Sequence, residues 1–213
     1  MVVAIDGPAG TGKSTIARFI AERSELYYVN SGNLYRAVAL LALRQDIDPQ
    51  HHEHVLQCAR EHTIDFSAGK TLLDGQEADD ELRTDEVDAC VAQISRIPEV
   101  RDIVNAVLRK IASHTGIVVE GRDMTTVVFP DAEVKIFLDA TIDARADRRF
   151  QQGTSRLSLE EIRQSIAERD HIDRTKPVGA LVQSDDAVYL DTSDLTIQEV
   201  CARVMEIIQR HTY

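Results

Sequence analysis

Residues Gly7 to Ser14 read GPAGTGKS and satisfy the pattern G-x-x-x-x-G-K-[ST] at every specified position. No other stretch constrains the chain as strongly. Gly7, Gly10 and Gly12 let the backbone turn tightly and bring its N–H groups up to phosphate oxygens, where a Cβ would intrude. Lys13 has the reach for β- and γ-phosphates, and the Ser14 hydroxyl is a ligand for Mg²⁺. A helix opening here turns its positive end toward the anion. The pattern has meaning only between a strand and a helix, and both are expected. Val2 to Ile5 is an apolar, β-branched run, and Thr15 to Arg23 places Ile16, Phe19 and Ile20 on one helical face. The segment Gly7, Pro8, Ala9, Gly10, Thr11, Gly12, Lys13, Ser14 and Thr15 is therefore the expected nucleotide-phosphate site.

The order of elements extends this start into an α/β fold. A short strand is expected at Leu26 to Val29, then a long helix carrying Leu34, Ala37, Val38, Leu41 and Ala42 up to the turn at Asp46 to Pro49. Alternation resumes later with strands at Ile117 to Glu120, Val134 to Leu138 and Ala187 to Leu190. Helices are expected at Asp143 to Gln151, Ser158 to Asp170 and Thr196 to Gln209. These five strands suffice for a parallel sheet flanked by helices. Between the halves, TIDFSAG, KTLLDG and QEADDELRTDE read as short antiparallel strands with Gly69 and Gly75 at turns, a small β insertion at about 63–86. Two helices follow, around Glu86 to Arg96 and Pro98 to His114.

Charge narrows the function. With 36 acidic and 24 basic residues the net charge is −12, which disfavours binding to a nucleic-acid backbone. An enzyme for small polyanions must then gather its cations in one cleft. The sequence supplies candidates in Arg36, Arg101, Arg122 and an arginine-rich stretch from Arg145 to Arg174. Cys58, Cys90 and Cys201 have no metal-ligand spacing, and reduced thiols in a cytoplasmic protein are expected. A strand starting at the second residue leaves no room for a secretory leader, and no apolar run nears the roughly 20 residues that span a bilayer. No membrane partner is expected, and without a heptad seam a monomer is. The cluster His51, His52, His54 reads as a solvated helix start after Pro49 rather than a metal site.

The motifs IDGPAGTGKST, SGNLYRA, EGRDMTTVVFPDAEVKIFLDA and ERDHIDR, with the insertion between them, resemble those of bacterial cytidylate kinases, in the same order and from Ile5 to about Val200. The resemblance implies a P-loop nucleoside monophosphate kinase fold: a single domain over 1–213, a monophosphate-binding region at 31–114 that includes the β insertion, and a short helical lid at 145–170. It implies transfer of the γ-phosphoryl of ATP, with Mg²⁺, to CMP or dCMP. A nucleotide monophosphate has a second pKa of about 6 and is already an anionic nucleophile, so no catalytic base is required. The obstacle is repulsion between polyanions, which cations relieve.

Under this resemblance Lys13, Arg122, Arg36 and the lid residue Arg149 are the catalytic set, with Arg36 and Arg122 gripping the acceptor phosphate bidentately. Arg145, Arg148 and Arg156 join Arg149 in the lid, where closure would bring cations in and keep water out. The substrate-binding set is Ser31, Tyr35, Arg36, Arg101, Arg122, Asp123, Arg169 and Asp173. Asp123 near N4 and Arg101 near N3 or O2 would favour cytosine over uracil, Asp173 would meet the sugar hydroxyls, and Arg169 a phosphate or the ribose. Asp6 and Glu120 stand as Mg²⁺ contacts through water or as hydrogen-bond acceptors. The chain departs from the family's usual pattern at Thr125 (glycine), Lys176 (arginine) and Ala92 (serine), which puts the strictness of base and ribose recognition in question. Two other readings fit the loop: a small P-loop kinase with UMP or a metabolite as acceptor, and a non-catalytic nucleotide switch.

Overall fold

The computed structural model describes residues 1–153 and 157–212, so the expected lid residue Arg156 lies outside the described residues. In chain order the elements are β1 (Val2–Asp6), α1 (Lys13–Ser24), β2 (Tyr27–Asn30), α2 (Ser31–Arg44), α3 (His52–Glu61), β3 (Ile64–Ser67), β4 (Lys70–Leu73), β5 (Gln76–Glu77), α4 (Asp85–Ile94), α5 (Pro98–His114), β6 (Ile117–Gly121), β7 (Val134–Asp139), α6 (Ile142–Gln151), α7 (Leu159–Thr175), β8 (Val188–Asp191) and α8 (Ile197–Thr212). The chain divides into two compact units, Val29–Thr115 and the remainder on either side of it.

The first unit is built on a five-stranded sheet in the order β2-β6-β1-β7-β8, with β1 parallel to both β6 and β7 and β7 parallel to β8. Strands covered on both faces read as unbroken apolar runs. Accordingly Val3 to Asp6 of β1 and every residue of β6 are buried. Against one face, Ile16, Ala17 and Ile20 of α1 pack with Val200, Val204 and Ile208 of α8 around Val118, Ile136 and Leu138. The spacing of three and four residues puts each set on one stripe of its helix. The register pairs Asp6 with Gly121 and with Phe137, so the chain leaves β1 for the glycine loop where its neighbours diverge, a common position for ligands in such sheets. Helices α6 and α7 share a small core of Ala146, Ile162 and Ile166.

In the second unit, the antiparallel sheet β3-β4-β5 is present as expected, with Ser67 opposite Lys70 and Leu73 opposite Gln76. Ala68-Gly69 and Asp74-Gly75 turn the chain with positive φ at all four residues, the geometry of two-residue hairpin loops. Helices α2, α3, α4 and α5 complete the unit, and α3 begins after Pro49 as the histidine cluster suggested.

Three elements differ from expectation. The polar stretch after Gly75 is a strand only at Gln76–Glu77; the chain then turns into a short 3₁₀ helix at Glu81–Arg83, because Asp79 folds back to accept from the Thr71 amide. Helix α7 runs five residues past Asp170 and stops at Thr175, one residue ahead of the Lys176-Pro177 pair, where a helical conformation is disfavoured. Met124–Val128, for which no element was expected, forms one turn of π-helix. Among the described residues no helix is long and apolar enough to cross a membrane.

Candidate active site

The glycine loop has the shape its sequence demands. A Cβ on Gly7 would lie 2.0 Å from the Leu138 carbonyl oxygen, so only glycine lets the loop leave β1 beside β7. Gly10 and Gly12 adopt left-handed φ of 84° and 91°, and Gly12 precedes the first turn of α1. Within the loop the Thr11 hydroxyl and the Lys13 ammonium both donate to the Pro8 carbonyl, at 3.1 and 2.7 Å. Ser14 and Thr15 are exposed on the first helical turn, which leaves the Ser14 hydroxyl accessible to a cation.

Lys13 is buried, and its electrostatics define the site. Loss of hydration, then the like charge of Arg122, pull its pKa down to about 7; Glu120 and Asp6 oppose this, and Arg169 adds to it. Arg122 and Arg169 therefore act on Lys13 as like charges, which makes the three a cationic cluster. Such a cluster is costly without an anion and favourable with one.

Carboxylates hold part of this charge. Arg122 directs Nε to Asp173 Oδ2 at 2.7 Å and Nη1 to the Gly121 carbonyl at 3.3 Å. Lys176 Nζ lies 3.7 Å from the other Asp173 oxygen. Burial alone would raise the Asp173 carboxyl, but Arg122, Lys176 and Arg169 outweigh it and hold it below the usual carboxylate range. Asp123 is buried beside Arg122. Glu120, also buried, accepts from the Tyr28 hydroxyl, a contact that nothing in the sequence signalled. Asp6 accepts from the Met124 and Thr125 amides and the Thr125 hydroxyl, so both its oxygens serve as hydrogen-bond acceptors. Thr125, which stands where the family usually has glycine, is a donor to Asp6.

Two arginines of the expected lid do other work. Arg145 is buried and makes a bidentate ion pair with Asp170 at 2.9 and 2.5 Å. It also donates to the carbonyls of Ala140 and Ala9, which braces the glycine loop from behind. Arg148 donates to Thr192 Oγ1 and to the Thr192 carbonyl, fastening the segment after β8. In both cases the fold surrounds the guanidinium with carbonyls, which sequence alone did not show. Arg149 is exposed and makes no hydrogen bond or ion pair to a described residue.

The second unit brings another group together. Ser31 opens α2 and is buried, and Tyr35 follows one turn later. The Arg101 guanidinium lies 5.4 Å from the centre of the Tyr35 ring, and its Nη1 donates to the Ser95 carbonyl at 3.1 Å. Arg36 pairs with Asp88 at 2.9 Å. A Cβ on Gly32 would lie 3.0 Å from Arg36 Nη1, so this glycine leaves space for the guanidinium. Among the described residues no three His, Cys, Asp or Glu side chains form a metal-binding group, and His51 and His54 simply stack.

The sequence model of the cytidylate kinase family matches residues 3–210. The chain is similar to the cytidylate kinases of Limosilactobacillus reuteri (41% identity over 98% of this chain and 95% of that one) and Caldanaerobacter subterraneus subsp. tengcongensis (39%, over 99% and 95%). It is also similar to that of Solibacter usitatus (42%, over 98% and 92%). Among solved structures, an uncharacterized protein from Eubacterium ventriosum shares the fold with a TM-score of 0.56 at 11% identity, over 99% of this chain and 98% of that one. A protein from Thermus thermophilus does so with a TM-score of 0.51 at 16% identity, over 100% and 98%.

Proposed function

The chain belongs to the cytidylate kinase family, and from that premise we infer that it transfers the γ-phosphoryl group of ATP to CMP or dCMP, producing ADP and CDP or dCDP. The observation that carries this reading is a glycine loop shaped for phosphate with the buried Lys13 at its end, beside Arg122, which Asp173 holds at the end of the neighbouring strand β6. Phosphoryl transfer between two nucleotides requires such cations, because the barrier is anion repulsion and the acceptor phosphate needs no deprotonation beyond its own ionisation.

The residue roles follow from this chemistry. Backbone N–H groups of the loop from Ala9 to Thr15 cradle the donor phosphates, and Lys13 exchanges its bond to the Pro8 carbonyl for a phosphate oxygen. Arg122 and Arg36 hold the acceptor phosphate, and Arg169 adds charge to the same field. Arg149, which makes no hydrogen bond or ion pair to a described residue, is the guanidinium that the lid carries toward the phosphates when it closes and excludes water. Asp123 and Arg101 read the cytosine edge, Tyr35 supports Arg101 through its ring face, and Ser31 lies on the same helix. Asp173, besides orienting Arg122, has lone pairs left for a sugar hydroxyl.

The exposed Ser14 hydroxyl, together with phosphate oxygens and water, is a donor set suited to Mg²⁺, which takes few protein ligands at nucleotide sites. When bound, the ion neutralises charge on the β- and γ-phosphates. Asp6 and Glu120 act on the surrounding hydrogen bonds. The working unit is a cytoplasmic monomer acting on free nucleotides: the net charge of −12 opposes binding to nucleic acid, and the three cysteines are free thiols.

The test is ADP release from MgATP with CMP, dCMP, UMP, AMP, GMP or shikimate offered separately at equal concentration. Fast release with CMP and dCMP is expected. ADP release no faster with CMP than with no acceptor would overturn the reading.

A further inference from the structure

Asp6 occupies a position that the proposed mechanism does not use. It closes β1, and its own backbone leads directly into Gly7 of the phosphate loop. Its side chain turns the other way, toward the segment that follows β6. There Oδ1 accepts from the Met124 amide at 2.9 Å, and Oδ2 accepts from both the Thr125 amide and the Thr125 hydroxyl at 2.7 Å. Asp6 and Thr125 are each 0% exposed, so water does not compete for these bonds. Burial pushes the Asp6 carboxyl up while the bonds from Thr125 and Met124 pull it back. Every donor lost thus weakens the remaining anchor.

Arg122 and Asp123 immediately precede the two anchored residues. The backbone after Asp123 enters the π-turn, where the Val127 and Val128 amides both return to the Asp123 carbonyl. This turn follows directly on residues 122 and 123 as they leave the sheet, and its first two amides are the ones that Asp6 holds. Single turns of π-helix are rare and often accompany functional sites. A glycine at 125 would keep the amide bond but provide no hydroxyl.

We propose that Thr125 is a positioning residue for the acceptor. Its hydroxyl completes a three-bond anchor on Asp6 that ties the Arg122-Asp123 segment to the strand feeding the phosphate loop. This rests on the reading of Arg122 and Asp123 as acceptor contacts. The segment and the loop move as one body, and the acceptor meets an arginine and a carboxylate already held in place.

The experiment compares wild type, Thr125→Val and Thr125→Ser, measuring kcat, KM for CMP, KM for ATP, CMP binding by calorimetry and Tm. Valine keeps the branched shape and removes the hydroxyl; serine keeps the hydroxyl. A valine variant with KM and Kd for CMP raised about fivefold, KM for ATP within about twofold, and values restored by serine is the expected result. Unchanged CMP parameters in the valine variant would overturn the proposal. So would parallel shifts in both substrates that track a fall in Tm, or a serine variant as impaired as valine. A wild type inactive with CMP would instead overturn the functional reading on which the proposal rests. In that case CMP binding by calorimetry in the three proteins still decides whether the anchor orders an acceptor site.

Discussion

Arg122 and Asp173, 51 residues apart, are joined by a 2.7 Å hydrogen bond from Nε to Oδ2, and both side chains are largely withdrawn from water. The carboxylate takes Nε and the Gly121 carbonyl takes Nη1, so the plane of the guanidinium is held before any anion arrives.

Replacing Arg122 with alanine should lower kcat/KM for CMP by about a hundredfold or more while changing ATP affinity by less than about threefold. Steady-state kinetics and ATP titration separate the two. Collapse of ATP affinity with turnover intact would remove Arg122 from its role. Because Asp173 is held below its ordinary 3.8, its contribution to stability is present above that pH and is lost as the pH falls through its lowered value. The variant should consequently unfold in acid at a higher pH than wild type.

Lys13 has a pKa of about 7 in the folded chain against 10.5 in the unfolded one. The unfolded state therefore binds the extra proton between these values, and this residue's contribution to stability rises as pH climbs from about 7 to 10. Lys13→Met should raise Tm in the ligand-free protein at pH 6.5, and the gain should shrink by pH 9.5. Binding of a triphosphate favours the ammonium, so ATP binding at pH 8 should take up a proton. Calorimetry in buffers of different ionisation enthalpy reads that uptake, which should vanish in Lys13→Met.

At Gly7 an alanine would place its Cβ 2.0 Å from the Leu138 carbonyl oxygen, in backbone rather than in a yielding side chain. Gly7→Ala should destabilise the protein by about 3 kcal/mol or more and abolish measurable ATP binding. A urea unfolding curve and an ATP titration that both match wild type would show that the loop leaves β1 differently.

Breaking the buried pair between Arg145 and Asp170 should cost more than removing it. Arg145→Met alone strands a buried carboxylate and should destabilise by about 3 to 5 kcal/mol. The double variant Arg145→Met with Asp170→Leu should recover part of that loss. The recovery stays partial because Arg145 also satisfies the Ala140 and Ala9 carbonyls. Additive single-variant losses in a double-mutant cycle would show that the two side chains do not act as a pair.

The glycine loop, the alternation of strands and helices and the hairpin glycines were all legible in the sequence, because each is encoded by neighbours. The loop occupies eight consecutive residues, Gly7 to Ser14, and Gly69 and Gly75 mark turns through their own φ. The arginines were not legible in the same way. Arg145, Arg148 and Arg149 sit within five positions on one helix, yet the first is buried against Asp170, the second holds the segment after β8, and the third is exposed. Their spacing says which side of a helix each leaves from, but not what packs there.

The sequence by itself determined the parallel α/β frame, the phosphate loop at the end of its first strand and, through its motifs, the family. Those features depend on local backbone preference and on hydrophobic period, which act over a few residues. The tertiary structure decided which charges are spent and which remain for a ligand. It lowered Lys13 to about 7, paired Arg122 with Asp173, anchored Thr125 on Asp6 and buried Arg145 against Asp170. Each of these depends on desolvation and on contacts between residues distant in the chain, and such terms have no value until the fold has excluded water and brought the partners to hydrogen-bond distance.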